Sequence, residues 1–182
     1  MGDRKEIEQM FDSIAKDYDR LNHIMSLDID KTWRHRALRQ IVEKGKKQEI
    51  LDIACGTGDF SIAIARKSDH GTMVHGLDLS AGMLEVMKDK VAREGLQDRI
   101  SAEQGDCEKM AFADDSFDRV TIAFGIRNFE HREAALREIL RVLRPGGKLV
   151  ILELSVPANP VIRWCYNLYF THIMPLIGRL FS

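Results

Sequence analysis

The sequence predicts an α/β fold in which a mostly parallel sheet is flanked by helices. Short apolar runs recur along the chain, stretches with helical spacing separate them, and glycine-containing turns stand at several of the junctions. Strands that alternate with helices pair in parallel and carry helices on both faces of the sheet. The 182 residues are enough for one globular domain with a sizeable core.

Two amphipathic helices are predicted before the first strand. Apolar side chains recur at helical spacing over residues 5–25, and again from about Asp28 to Val42, with Gly45 as the predicted stop. The predicted divisions of this single domain are a helical cap at 1–45, a cofactor-binding core at 46–156 and an apolar C-terminal helix at 157–182.

The remaining elements alternate regularly. A helix with Ser80 as its N-cap is predicted at 80–93, and Arg144-Pro-Gly-Gly147 is the predicted break before the last strand. The other predicted elements are strands at 49–54, 73–78, 99–104, 118–124 and 148–154, and helices at 59–67 and 131–143.

Composition excludes several classes of protein. A net charge of −1 and a pI near 6.6 leave no basic excess for a phosphate backbone, so we expect no nucleic-acid partner. The three cysteines, Cys55, Cys107 and Cys165, have no metal-ligand spacing, and their odd, sparse number suits a reducing compartment. No signal peptide and no uninterrupted apolar run of about 18 residues is present, so a cytoplasmic location is expected.

The first strand is followed by a candidate ligand-binding turn. In parallel sheets ligands bind beyond the carboxyl ends of the strands. Here Asp52 lies on the strand, and Thr57 follows between Gly56 and Gly58, two residues that permit a tight turn and close approach of a ligand. Ser61 stands where a dinucleotide motif has its third glycine, which disfavours NAD. An acidic residue before the turn fits a cofactor with a positive end better than a pyrophosphate.

Acidic residues also follow the next two strands. Asp78 ends the second strand, where a carboxylate accepts hydrogen bonds from ribose hydroxyls, although it also suits a helix cap. Asp106 and Cys107 follow the third strand, where an Asp side chain and a backbone group can pair with adenine, although a simple turn is the alternative. In this order, Asp52, the glycine turn, Asp78 and Asp106 resemble the motif set of the Rossmann-like class I S-adenosylmethionine-dependent methyltransferases.

Three longer stretches make the resemblance more specific. The stretches Tyr18-Asp-Arg-Leu-Asn22, Phe124-Gly-Ile-Arg-Asn128 and Arg141-Val-Leu-Arg-Pro-Gly-Gly147 are similar to motifs of the ubiquinone/menaquinone biosynthesis C-methyltransferases. The similarity runs from about Phe11 to Leu180.

The sequence departs from that family pattern in three respects. Asp30 stands where many members have His, and Ala123 where some have a Ser that contacts the cofactor. Members usually continue beyond the point where this sequence stops, so the C-terminal strands of the sheet are expected to be missing.

The resemblance implies S-adenosylmethionine as cofactor and carbon methylation of a polyprenylated quinol, with demethylmenaquinol favoured over the benzoquinol precursor of ubiquinone. It implies cofactor contacts for Thr57, Asp78, Asp106 and Cys107, and places Arg127 and Asn128 on the catalytic, substrate-facing side. The further candidates for substrate contact are Tyr18, Asn22 and Phe124.

The chemistry of quinol methylation suggests roles for two of these side chains. Arg127 could stabilise a developing phenolate as a permanent cation, and Asn128 could orient the ring hydroxyl or a water. Candidates for the general base are His131, His23 and Tyr18, each of which also has an ordinary structural explanation.

Alternative functions and partners remain open at this point. The alternatives are a non-catalytic S-adenosylmethionine-binding module, a methyltransferase for RNA or another small molecule, and an NAD enzyme. The apolar stretch after residue 157 is compatible with a wall for a polyprenyl tail, with transient contact at the inner face of a membrane, and with a homodimer.

Overall fold

The fold is organised around one sheet of five strands. The computed structural model describes residues 4–15, 18, 29–153, 158–160, 163–164, 168 and 171. The strands are β1 (Glu49–Ile53), β2 (Met73–Asp78), β3 (Ile100–Gln104), β4 (Phe117–Ala123) and β5 (Leu143–Leu152). The helices are α1 (Arg4–Ile14), α2 (Ile29–Ile41), α3 (Asp59–Lys67), α4 (Ala81–Arg93) and α5 (Arg132–Val142), with a 3₁₀ turn at Ile126–Asn128.

All neighbouring strands of the sheet run parallel, in the order β3-β2-β1-β4-β5. The order reverses between β1 and β4, which makes the carboxyl ends of these two strands the topological switch point. The predicted α/β architecture is confirmed.

Helices cover both faces of the sheet. On one face α2, α3 and α4 bury apolar side chains such as Ile41, Ile64 and Met87 against the strands. On the other face α5 packs Ile139 and Val142 against β1 and β4. The central strands are therefore apolar on both sides, which is why they appear in the sequence as short continuous apolar runs.

The start of β5 differs from the prediction. The strand begins at Leu143, directly after α5, and Arg144-Pro-Gly-Gly147 lies within it as an irregularity in the pairing with β4. Phe117 pairs with Leu143 and Arg119 with Lys148, so β5 carries the extra residues as a bulge. A bulge accepts Pro and Gly inside a strand because some of its residues make no ladder hydrogen bonds.

The predicted helix boundaries hold only in part. Helix α1 ends at Ile14, and most of the rest of the predicted helix 5–25 lies outside the described residues. Helix α2 ends at Ile41, whose carbonyl accepts a hydrogen bond from Gln48 Nε2 at 3.1 Å, so the helix stops before Gly45. Ser80 caps α4 as predicted, accepting from the Met83 N–H.

The division into cap, core and C-terminal helix stays a prediction. Much of 157–182 lies outside the described residues. Within the part of the chain that the structure describes, no helix has both the length and the hydropathy needed to cross a membrane.

Candidate active site

A cavity opens at the carboxyl ends of the strands, at the topological switch point. Ligands of open parallel sheets bind at this position. The floor comes from the residues that follow β1, β2, β3 and β4, and one wall comes from α1. Apolar lining side chains include Ile7, Phe11, Ile53, Leu77, Met83 and Phe129.

The polar lining of this cavity is strongly acidic. No Lys, Arg or His is among the described residues that line it. Carboxylates of one sign in a cleft with low-dielectric walls concentrate a negative potential, which attracts a cation and repels a phosphate. Five acidic residues contribute to the lining, namely Glu8, Asp78, Asp106, Glu108 and Glu130.

The glycine turn presents one of its residues to the cavity. Gly56, at φ +55°, lines the cavity, and no atom lies within 4 Å of the place where a Cβ would stand. A ligand can therefore approach the backbone closely at this point. Gly58 has φ +83° and packs against Met87, and Thr57 is buried, with Lys90 Nζ 3.3 Å from its hydroxyl. Thr57 and Gly58 thus stabilise the turn on the side that faces away from the cavity.

Asp52 also lies behind the turn. It is 1% exposed and is not part of the cavity lining. Its Oδ2 accepts a hydrogen bond from the Ser61 hydroxyl at 2.6 Å, and its Oδ1 from the Thr121 hydroxyl at 2.8 Å. The carboxyl therefore joins β1 to α3 and β4, and Ser61, which replaces the third glycine of a dinucleotide motif, has a structural partner here.

Burial makes the stability of this fold depend on the ionisation of Asp52. Desolvation raises the pKa of Asp52 from 3.8 to about 6, and the hydrogen bonds from Ser61 and Thr121 oppose the shift. The folded state then holds the proton more tightly than the unfolded state. The stabilisation that comes from protonated Asp52 is complete below about pH 4 and is lost as the pH rises through about 6.

We therefore expect the free energies of unfolding of the native protein and Asp52→Asn to diverge with pH. The native protein should lose roughly 3 kcal/mol relative to the variant between about pH 4 and 7. Urea unfolding of both proteins at several pH values measures this difference in free energy. The other titrating groups are common to both proteins, so their contributions cancel in the difference. A difference that stays constant over the range would contradict the expectation.

Asp78 reaches the cavity from the end of β2. Its Oδ2 accepts the Gly56 N–H at 2.8 Å and its Oδ1 accepts the Ser80 N–H at 2.9 Å. Burial raises the pKa of Asp78, while the backbone N–H groups oppose the shift. A carboxylate offers about four lone-pair directions, so these two bonds leave room for ligand hydroxyls.

The loop after β3 brings three consecutive residues to the cavity. Asp106, Cys107 and Glu108 all line it, and Asp106 Oδ1 accepts the Glu108 N–H at 2.9 Å. The Glu108 carboxylate in turn accepts the His131 N–H at 2.8 Å and lies 2.9 Å from His131 Nδ1. Neither Glu108 nor Glu130 was predicted as a site residue, although Glu108 directly follows two residues that were.

The end of β4 forms the opposite wall. Phe124 lines the cavity at φ +60°, and Ala54, after β1, has φ +54°. Positive φ in residues other than glycine is uncommon and costs energy, and such residues cluster at functional sites. Tyr18 and Asn128 also line the cavity.

Arg127 is placed differently from Asn128. Its guanidinium forms an ion pair with Glu153, its side chain is 49% exposed, and it is not part of the lining. The structure therefore puts Arg127 beside the cavity rather than in it. Asn22 and His23 lie outside the described residues.

Helix α1 is held over the cavity by one side chain. Asp12 Oδ1 accepts hydrogen bonds from the Ser80 hydroxyl and, at 2.9 Å, from the Gly82 N–H at the start of α4. This contact places Ile7 and Phe11 over the opening. No local pattern in the sequence marks Asp12, because its partners lie 68 and 70 residues away.

The family model described as the ubiE/COQ5 methyltransferase family matches residues 1–182, the whole chain. The chain belongs to the ubiE/COQ5 methyltransferase family. This confirms the family resemblance and the class of enzyme that the sequence predicted.

Relatives of this methyltransferase agree with that assignment. The demethylmenaquinone methyltransferase of Bacteroides fragilis is 43% identical over 98% of this chain and 72% of its own length. The ubiquinone/menaquinone biosynthesis C-methyltransferase UbiE of Geotalea daltonii is 44% identical over 98% of this chain and 75% of its own. The chain thus spans about three quarters of these relatives' length.

Solved structures support the fold and the methyl donor. A putative S-adenosyl-L-methionine-dependent methyltransferase from Methanococcus maripaludis has a TM-score of 0.63 and 26% identity, over 94% of this chain and 76% of its own. Several other similar structures are longer, and this chain spans little more than half of them. Family and fold together imply S-adenosylmethionine as the methyl donor of this methyltransferase.

Proposed function

We propose that this methyltransferase transfers a methyl group from S-adenosylmethionine to a ring carbon of a polyprenylated quinol, with demethylmenaquinol as the substrate. The acidic cavity at the switch point, closed by apolar side chains of α1, carries the proposal. Its charge suits a sulfonium cofactor, and its apolar wall suits a hydrophobic ring. Relatives named as demethylmenaquinone methyltransferases favour the naphthoquinol.

The described residues fit this cofactor. Asp78 has acceptor capacity left for ribose hydroxyls, and Asp106 and Cys107, which line the cavity, would pair with adenine. The open backbone at Gly56 accommodates the methionine part, and the carboxylates around it attract its positive groups. When bound, S-adenosylmethionine supplies an electrophilic methyl group.

The residues that bind the substrate must orient its ring and help a ring hydroxyl to lose its proton. The ring carbon next to that hydroxyl becomes nucleophilic when the hydroxyl is ionised to a phenolate. Asn128 and Tyr18 line the cavity and can hydrogen-bond a ring hydroxyl, while Phe124 forms an apolar wall. Arg127 would stabilise the phenolate after exchanging Glu153 for the substrate oxygen. Binding both reactants side by side in one cavity would supply the alignment that an in-line transfer needs.

Two of the described residues are candidates for the general base. Tyr18 lines the cavity itself, and His131 is joined to the cavity through Glu108. The third candidate, His23, lies outside the described residues. A homodimer stays a prediction from the sequence.

Arg127→Ala is expected to lower kcat by about 100-fold or more, because removing a donor from a developing oxyanion typically costs this much. The Kd for S-adenosylmethionine should stay nearly unchanged, since Arg127 lies outside the cavity lining. Steady-state kinetics and calorimetry measure the two constants. Arg137→Ala, an exposed change on α5, is the matched control. A loss of cofactor binding equal to the loss of turnover would contradict the assignment.

The proposed activity is tested with S-adenosylmethionine and two reduced acceptors, a short-chain demethylmenaquinol and a short-chain methoxy-benzoquinol. Methylated products are followed by mass spectrometry. Methylation of the naphthoquinol alone is expected. Methylation of the benzoquinol alone would instead assign the enzyme to ubiquinone synthesis. Tight cofactor binding without methylation of either would refute the quinol assignment and leave a cofactor-binding module.

A further inference from the structure

The outer side of α2 and the turn that follows it are rich in basic residues. Residues 32–47 contain six Lys and Arg and one acidic residue, whereas the whole chain has a net charge of −1. The acidic residue, Glu43, is engaged by Lys46 and Arg119 and so does not oppose the others. The exposed cationic residues, here called the basic stripe, are Arg36, Arg39, Lys44, Lys46 and Lys47.

The basic stripe differs from the exposed side of α4 in its neighbours. There Lys88 and Arg93 also make no ion pair with a described residue, but acidic residues lie beside them, namely Glu85, Asp89 and Glu94. On α5 the exposed Arg137 is paired with Glu133, and on α3 Arg66 is paired with Glu94. Paired charges of this kind are typical of a solvated surface. Arg36, Arg39 and Lys44 make no ion pair with a residue in the described ranges. An anionic partner would relieve their mutual repulsion.

The start of α2, next to Arg36 of the basic stripe, lies close to the cavity, whereas Lys44, Lys46 and Lys47 precede the amino end of β1 at the opposite edge of the sheet. At the start of α2 the Trp33 ring is 6.5 Å from the Phe124 ring, and the Arg34 guanidinium is 5.8 Å from the same ring. Phe124 is a wall of the cavity. Since a helix with its side chains is about 10–12 Å across, a surface that touches the outer side of α2 at its start is about one helix diameter from that wall.

We propose that the basic stripe docks this methyltransferase on an anionic lipid bilayer, with α2 lying along the headgroups and the Phe124 wall facing the lipid surface. The proposal rests on the proposed function, because a polyprenylated quinol dissolves in the bilayer and has to be collected there. A protein with a net charge near zero gains no general attraction to anionic lipid. A local cationic surface instead provides both attraction and orientation, within a Debye length of about 8 Å at physiological salt.

The test is flotation of the full chain with vesicles of equimolar phosphatidylcholine and phosphatidylglycerol, against vesicles of phosphatidylcholine alone. Binding to the anionic vesicles only, lost at high salt, is expected. Each cation at such a surface contributes roughly fivefold to the partition coefficient, so Arg36→Gln with Arg39→Gln should reduce binding by about 25-fold. The charge-reversing pair Arg36→Glu with Arg39→Glu should reduce it further.

The control pair is Lys109→Glu with Arg137→Glu, which makes the same change in net charge at exposed positions outside the basic stripe. Equal loss of vesicle binding in both pairs, or no vesicle binding by the native protein, would overturn the proposal. So would salt-sensitive binding to a polynucleotide without binding to vesicles. Methylation of a water-soluble quinol, measured in parallel without vesicles, should be unchanged in the stripe variants, so failure of docking is distinguished from failure of the proposed function.

Discussion

Asp78→Ala is expected to raise the Kd for S-adenosylmethionine by about 100-fold or more. Hydrogen bonds to a charged group contribute about 1.5–3 kcal/mol each, and the carboxylate has capacity for two ribose hydroxyls. The same carboxylate holds the Gly56 and Ser80 N–H groups, so its removal also loosens the turn that approaches the ligand. Calorimetric titration of the native protein and the variant measures the effect.

Two further variants separate recognition from folding. Asp78→Asn keeps the shape and one acceptor, so it should bind the cofactor with intermediate affinity. Asp98→Ala removes an exposed carboxylate and should bind like the native protein. Unchanged affinity in a folded Asp78→Ala variant would show that the ribose is held elsewhere.

Gly58→Ala is expected to destabilise the fold by about 2–5 kcal/mol. A Cβ at φ +83° is strained by about 1–2 kcal/mol, and this one would lie 2.5 Å from Met87 Cγ. Met87 is fully buried, so its side chain has little space into which to move, and overpacking of a core costs about 1–3 kcal/mol. Urea unfolding gives the free energy directly.

Gly45→Ala is the matched control for that loss. Gly45 also has positive φ, at +77°, but no atom lies within 4 Å of the place where its Cβ would stand, so only the backbone strain applies. We expect a loss of about 1–2 kcal/mol there. Equal losses in the two variants would show that Met87 adapts and that packing behind the turn does not constrain Gly58.

Much of the cavity floor was predictable because its residues immediately follow strands. The apolar runs locate the strands, and parallel pairing brings their carboxyl ends to one edge. Gly56, Asp78, Asp106 and Cys107 were chosen on that basis, and all four line the cavity. Whether each contacts the cofactor stays a prediction that the binding measurements address.

Other parts of the site could not be predicted from the sequence in this way. Glu8 reaches the cavity because Asp12 fixes α1 to the start of α4, a contact between segments far apart in the chain. Arg127 and Asn128 are neighbours in a motif, yet only Asn128 lines the cavity, because Glu153 at the end of β5 holds the guanidinium.

The sequence by itself determined the order of strands and helices, the family, and which turns face the ligand, because these depend on periodicity and on residues close together in the chain. Only the tertiary structure decided that Asp52 faces Ser61 and Thr121 rather than the cavity, and that α1 contributes a carboxylate to it. The physical reason is that a side chain near the end of a strand turns toward its best hydrogen-bond partners. For Asp52 one of these lies 69 residues away, on β4.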